Sequence, residues 1–309
     1  MTTERVVVPR LEEQAARQEN AVLSRPQDGD AWGSLGLTYR LMGYDELALE
    51  VLLRSAELGT GYSDVWYYLS FLLHDEGRQV DALEAARKAV ALAPESARCL
   101  VNLGTRLLDD AKAHEAIAYL EKATRLLPDR AEPIGVLGIA HFRAQNFAAA
   151  AECLETSLRK DPEADPSAWA YLGVSLDETG RFEGAVCALE TALFAKPDYG
   201  WAWGRLGKAL RALGRHAEAI HAYERAITHD FAPSILWWDM GLSAVEVEDA
   251  VRLERACRGL RGLDRGLATK LRRRLRSLKQ KQAAAALPSE APEVDGARAS
   301  DTASLATRI

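Results

Sequence analysis

From Gly29 to Leu263 the chain writes one pattern of large apolar, small and polar positions over and over. If the large residue that opens each copy is counted as its fourth position, that position holds Trp32, Trp66, Leu100, Ile134, Trp169, Trp203 and Trp237. The spacing is 34 residues, apart from one extra residue between Ile134 and Trp169 that falls in the loop PEADP at 162–166. Loops absorb such an insertion at little cost. Three residues on stands Leu35, Leu69, Leu103, Leu137, Leu172, Leu206 or Met240, and directly after it a small residue: Gly36, Ser70, Gly104, Gly138, Gly173, Gly207 or Gly241. Apolar residues three and four apart predict helices with one buried face. Glycine inside a helix costs about 1 kcal/mol relative to alanine, so its recurrence predicts a gain from close approach of a second helix. That helix is expected to answer with small residues of its own, Ala48, Ala82, Ala116, Ala150, Ala185 and Ala219, followed by a second small set at Ser55, Ala89, Ala123, Ser157, Ala192 and Ala226.

Between the two helices of a copy lies a turn such as LMGYDE, DEGRQV, ETGRFE or ALGRHA, whose glycine suits the left-handed end of a helix. Copy three has Ala111 there instead. Pro94, Pro128, Pro162 and Pro197 then end the second helix, because proline cannot continue it. The unit is an antiparallel helix pair, with six full copies and a seventh that starts well and drifts.

The pattern W-x-x-L-G-x-x-Y, A-x-x-x-L/Y and a terminal Pro resembles the tetratricopeptide repeat. The resemblance implies an all-α, right-handed superhelical solenoid of antiparallel helix pairs, with first helices lining a concave groove at positions 2, 5, 9, 12 and 13 of each repeat. Carried over residue by residue, the peptide-binding groove is expected to include Leu37, Leu41, Tyr67, Phe71, Val101, Leu108, Ile139, Phe142, Arg143, Val174, Trp201, Lys208, Arg211 and Trp238. Large apolar side chains in a concavity mark a binding surface. The implied ligand is an apolar or amphipathic peptide segment, with acidic residues toward Lys208 and Arg211. For Trp238 and Leu242 a second reading stands beside this one, in which the C-terminal helix covers them. The family's chaperone-tail clamp is not supported: Asn102 alone fits it, and its partners would be Tyr67, Phe71, Glu132 and Val136.

The ends differ from the repeats. Residues 1–28 form an N-terminal segment in which 11–28 reads as an orphaned second helix capping the stack, and 29–263 is the array of about seven repeats, the last degenerate. Residues 264–282 hold a basic amphipathic helix with eight basic and no acidic residues over 265–281 and Leu267, Leu271, Leu275 and Leu278 on one face. Taking those eight charges from the formal net −6 leaves −14 elsewhere. Three readings compete: a cap whose leucines dock on repeat seven, which every solenoid end needs; an anionic membrane surface; and nucleic acid, which the acidic body would repel. From Ala283 to 309 the composition of Ala, Pro, Ser and Asp predicts a disordered tail.

Chemistry finds no constellation. His216 and His221 are five apart, off the spacing of a two-histidine metal site, and no phosphate loop, nucleophile elbow or dinucleotide fingerprint occurs. No enzymatic activity, metal or cofactor is expected. The first 30 residues hold no secretory apolar region, and no stretch approaches the roughly 18 apolar residues of a membrane span. Four single cysteines, Cys99, Cys153, Cys187 and Cys257, read as buried thiols in a reducing compartment. The expectation is a cytoplasmic scaffold that binds segments of other proteins. The alternative is a regulatory or targeting subunit of an enzyme complex, held at a membrane surface by the basic helix.

Overall fold

The computed structural model describes residues 4–285. The helices are α1 (Glu4–Ser24), α2 (Gly29–Leu41), α3 (Asp45–Leu58), α4 (Ser63–Asp75), α5 (Gln79–Leu92), α6 (Ala97–Asp109), α7 (Ala113–Leu126), α8 (Ala131–Arg143), α9 (Phe147–Lys160), α10 (Pro166–Glu178), α11 (Phe182–Ala195), α12 (Gly200–Ala212), α13 (His216–Thr228), α14 (Ser234–Glu246), α15 (Ala250–Leu260) and α16 (Arg265–Ala285). No strand occurs among the described residues. None of these helices is long and apolar enough to cross a membrane. The chain divides into two compact units, one ending at Ala232 and the other beginning at Pro233.

In the first unit, α2 to α13 form six hairpins, each packed on the next. First helices of successive hairpins touch one another, α2 with α4 and so on to α12, whereas second helices of successive hairpins do not. The first helices therefore form the inner face of this unit. α1 packs on α2 through Ala15 and Val22 against Leu35, Val51 and the half-buried Trp32 and Tyr39. It begins at Glu4, upstream of the residue-11 start read from the sequence.

The glycines pack differently from expectation. A Cβ on Gly36, Gly104, Gly138 or Gly173 would stand 2.6–2.7 Å from a side-chain carbon of Leu52, Leu120, Leu154 or Leu189. On Gly207 it would meet the ring of Tyr223 at 2.5 Å. What fills the notch is thus a bulky knob from the second helix of the same hairpin, not the facing alanine. The alanines Ala48, Ala82, Ala116, Ala150, Ala185 and Ala219 are all fully buried. Two members of the second small set also donate hydrogen bonds across the hairpin, Ser55 Oγ to Gly29 O at 2.6 Å and Ser157 Oγ to Ala131 O at 2.9 Å.

In three of the copies the recurring tryptophan is explained by its indole N–H. Trp32, Trp169 and Trp203 donate through Nε1 to the carbonyls of Pro26, Pro162 and Pro197 at 3.0, 3.3 and 2.9 Å. Each bond ties a first helix to the chain end that precedes it. The hairpin turns use the left-handed region: Gly43, Gly77, Gly180 and Gly214 have φ of 72–79°, and Ala111, without glycine's freedom, takes φ 57° in the same place.

In the second unit α14 and α15 form a hairpin, and α16 packs on both. Ala268, Leu271 and Leu278 of α16 are buried, and Leu271 sits against Gly241 of α14. Two of the four stripe leucines are thus spent on packing within this unit, and Leu267 and Leu275 are half-buried. α16 runs on to Ala285, so residues 283–285 of the expected tail are helical; the remainder of that tail lies outside the described residues. Among the cysteines, Cys99 and Cys257 are buried and Cys153 is half-buried, but Cys187 is exposed on α11, against the expectation of four buried thiols.

Candidate functional site

Every groove residue named from the sequence, Trp238 excepted, lies in the first unit, and the structure sorts them into several groups. Tyr67 and Phe71 of α4 lie edge to face at 5.0 Å, and Val101 of α6 lines the same hollow. Phe142 of α8 stacks at 4.8 Å on Tyr171 of α10, which meets Trp201 of α12 at 5.9 Å, so three successive first helices share one aromatic row. Arg205 lies 5.3 Å over the Trp201 ring. Tyr171 stands at position six of its repeat, outside the family's groove positions.

Several of the expected residues are committed elsewhere. Leu108 and Val174 are buried at 4% and 3% exposure and belong to the packing core. Leu37 and Ile139 are half-buried against core clusters, whereas Leu41 is exposed. Arg143 Nη1 donates to Leu108 O at 2.7 Å and so satisfies a carbonyl in the last turn of α6. Lys208 is held by Asp177 at 2.8 Å and Glu178 at 2.7 Å. Burial pulls its pKa down, but those two carboxylates outweigh that and hold it above the usual lysine value. Arg211 is half-buried on α12. Lys208 is thus occupied by its own chain, which removes half of the cationic pair expected to meet a ligand's acidic residues. In the second unit, Arg274 of α16 lies 5.8 Å over the ring of Trp238, the covered arrangement that was one of the two readings for this residue.

A hollow of about 490 Å³ opens between α4, α6 and α8. Tyr67 and Phe71 make one wall, Pro133 and Val136 the other, and α6 the floor, with Arg98, Asn102 and Arg106 spaced four apart along it. Residues four apart on a helix share a face. Arg98 reaches Asp64 and lies 4.4 Å over Tyr67, and burial raises the Tyr67 hydroxyl above its ordinary pKa.

Asn102 and Arg106 are the unusual pair. They are 3% and 6% exposed, yet neither end of the Asn102 amide and neither Nε nor Nη1 of Arg106 makes a hydrogen bond. Arg106 Nη1 stands 3.3 Å from Asp109 Oδ2, and the guanidinium lies 5.7 Å from the Phe71 ring centroid. Burial depresses the Arg106 pKa, with Asp109 and Asp75 opposing the shift. Burying polar groups without hydrogen-bond partners costs free energy, and this pair carries that cost. In the sequence Asn102 stands out only against the chaperone-tail clamp, and Arg106 not at all.

Comparison with known proteins agrees with this architecture. The tetratricopeptide repeat model matches residues 136–199 and 175–234. Superkiller complex protein 3 of Mus musculus is 29% identical over 214 residues, covering 65% of this chain and 13% of the relative. The peroxisomal targeting signal receptor of Candida albicans is 23% identical over 244 residues, covering 75% of this chain and 40% of the relative. The chain therefore spans well under two thirds of these curated relatives. Among solved structures, YrrB, described as a TPR protein with an unusual peptide-binding site, matches with a TM-score of 0.53 at 20% identity, covering 65% of this chain and 99% of that one. Residues 136–234 thus match the tetratricopeptide repeat, and the helix hairpins have the fold of solved tetratricopeptide solenoids.

Proposed function

We propose that this protein is a non-catalytic scaffold that holds peptide segments of partner proteins against the first-helix face of its first unit. The observation that carries the reading is the hollow between α4, α6 and α8, where aromatic and aliphatic walls surround two buried polar side chains whose hydrogen-bonding capacity the chain leaves largely unused. Apolar walls with a few convergent polar groups are what a recognition pocket requires. The aromatic row Phe142, Tyr171 and Trp201 supplies further apolar contact toward α12. A relative named as a receptor for a targeting signal is consistent with this use of the fold.

The test is selection of a phage-displayed dodecapeptide library on the full chain. Selected peptides should lose capture by Val136→Arg, which fills the hollow, and by Tyr67→Ala, which removes a wall, with far-ultraviolet circular dichroism unchanged for both. Enrichment of no peptide, or undiminished capture by both folded variants, overturns the reading.

A further inference from the structure

We propose that the hollow between α4, α6 and α8 is a subsite for one acidic side chain in the interior of a bound peptide, received by Arg106 and Asn102. This rests on the peptide-binding reading above and names the chemistry that the site selects.

Three observations lead to it. First, both side chains are more than nine-tenths buried and line the hollow, yet the Asn102 amide and the Nε and Nη1 of Arg106 lack hydrogen-bond partners. A carboxylate offers two oxygens with several lone pairs, enough to take a guanidinium edge and an amide N–H together. Hydrogen bonds between ionised groups are roughly twice as strong as neutral ones, so a carboxylate recovers more of the desolvation cost than a peptide carbonyl would. Second, three arginines and one glutamate line this hollow in a chain whose formal net charge is −6. Arg98 already faces Asp64, and Asp109, the ion-pair partner of Arg106, is not part of the lining. The cationic character is local and faces the cavity. Third, Tyr67 and Phe71 flank the polar pair, which places apolar contact for the neighbouring residues of the ligand beside its acid.

An interior acid fits better than a chain end. Phe71 on one side of the pair and Pro133 and Val136 on the other give apolar surface to residues flanking the acid on both sides, half of which a terminal carboxylate would leave unused.

Three tripeptides separate the possibilities: acetyl-Phe-Glu-Phe-amide with an interior carboxylate, acetyl-Phe-Gln-Phe-amide with none, and acetyl-Phe-Gln-Phe with a free terminus. Binding to the ¹⁵N-labelled full chain is read from the side-chain N–H signals of Asn102 and Arg106. The glutamate peptide is expected to bind at least tenfold more tightly than the other two and to shift both signals. Arg106→Met and, as a second variant, Asn102→Leu should erase that preference. Equal binding of the three peptides, preference for the free terminus, or shifts that spare both side chains overturns the subsite. Library selection can succeed on the whole chain while the three tripeptides bind alike, and that combination removes the subsite but leaves the scaffold reading standing.

Discussion

Replacing Arg106 by Met asks whether a buried charge serves the fold or the ligand. The guanidinium is 6% exposed, two of its nitrogens have no hydrogen-bond acceptor, and its one ion pair, to Asp109, is 3.3 Å long. Removing an ion from water costs several kcal/mol, so replacing a buried ion pair by apolar residues is often neutral or stabilising by about 1–4 kcal/mol, and removing one partner alone is costly only where the other is left buried and uncompensated. The carboxylate left behind is tolerable: the Asp109 side chain is 31% exposed and has His74 Nδ1 at 3.7 Å. We therefore expect Arg106→Met to hold or raise stability, by roughly 0–2 kcal/mol after loss of the Asp109 pair, while removing the preference for an acidic peptide. Urea unfolding followed by circular dichroism gives the midpoint and slope. A repeat array need not unfold in two states, so the comparison is of midpoints at matched slope. A fall of the midpoint equivalent to about 2 kcal/mol or more would show Arg106 to be a structural tie, and the inference drawn from its missing partners would fail with it.

Lys208 should behave in the opposite way. Asp177 is 4% exposed at its side chain and depends on this lysine, so Lys208→Met is expected to destabilise by roughly 3 kcal/mol in the same urea assay, with peptide capture kept by the folded fraction. Gly104→Val drives a Cβ into Leu120, 2.6 Å away and fully buried, and overpacking of this kind costs about 1–3 kcal/mol; an unchanged midpoint would refute the knob-and-notch account of the repeat. Ala111→Gly relieves a left-handed alanine at φ 57° and should raise stability by about 1 kcal/mol, a gain to be sought in thermal or urea melts. Tyr39 donates to Glu19 at 2.6 Å, and burial together with that carboxylate pushes its pKa up to about 12. The unfolded tyrosine loses its proton near pH 10 and the folded one only near 12, so this stabilisation is complete below pH 10 and drains away between 10 and 12. Absorbance at 295 nm should show, beside the raised Tyr67 and Tyr199, a phenol titrating near pH 12 that Tyr39→Phe removes.

The periodicity of Trp, Leu-Gly and turn was enough to read the hairpins, because each of those positions is fixed by contacts within one hairpin or with the residue just before it. The partner of each glycine was harder to name. Spacing puts Ala116 and Leu120 on the same face of α7, and only packing decides that Leu120 enters the notch at Gly104. The aromatic lining of the first-helix face was legible at Tyr67, Phe71, Phe142 and Trp201, which are large side chains at inner positions. It was not legible at Lys208 or Arg143, whose partners come from the neighbouring repeat, 30 and 35 residues away. Arg106 and Tyr171 were missed because they occupy positions ten and six, where a fixed set of groove positions does not look. The four-residue stripe Arg98, Asn102, Arg106 was the signal available for the first of them.

The indole tie to the preceding carbonyl is present at Trp32, Trp169 and Trp203 but not at the corresponding positions of α4, α6 and α8, held by Trp66, Leu100 and Ile134. Those are the three helices around the hollow. Their joints are tied by long side chains in place of a rigid indole, Arg98 of α6 to Asp64 of α4 and Arg143 of α8 to the Leu108 carbonyl of α6. A flexible arginine can follow a shift of its partner by changing rotamer, which a planar indole pinned to one carbonyl cannot, so the cleft is braced by ties that still let its width follow a guest.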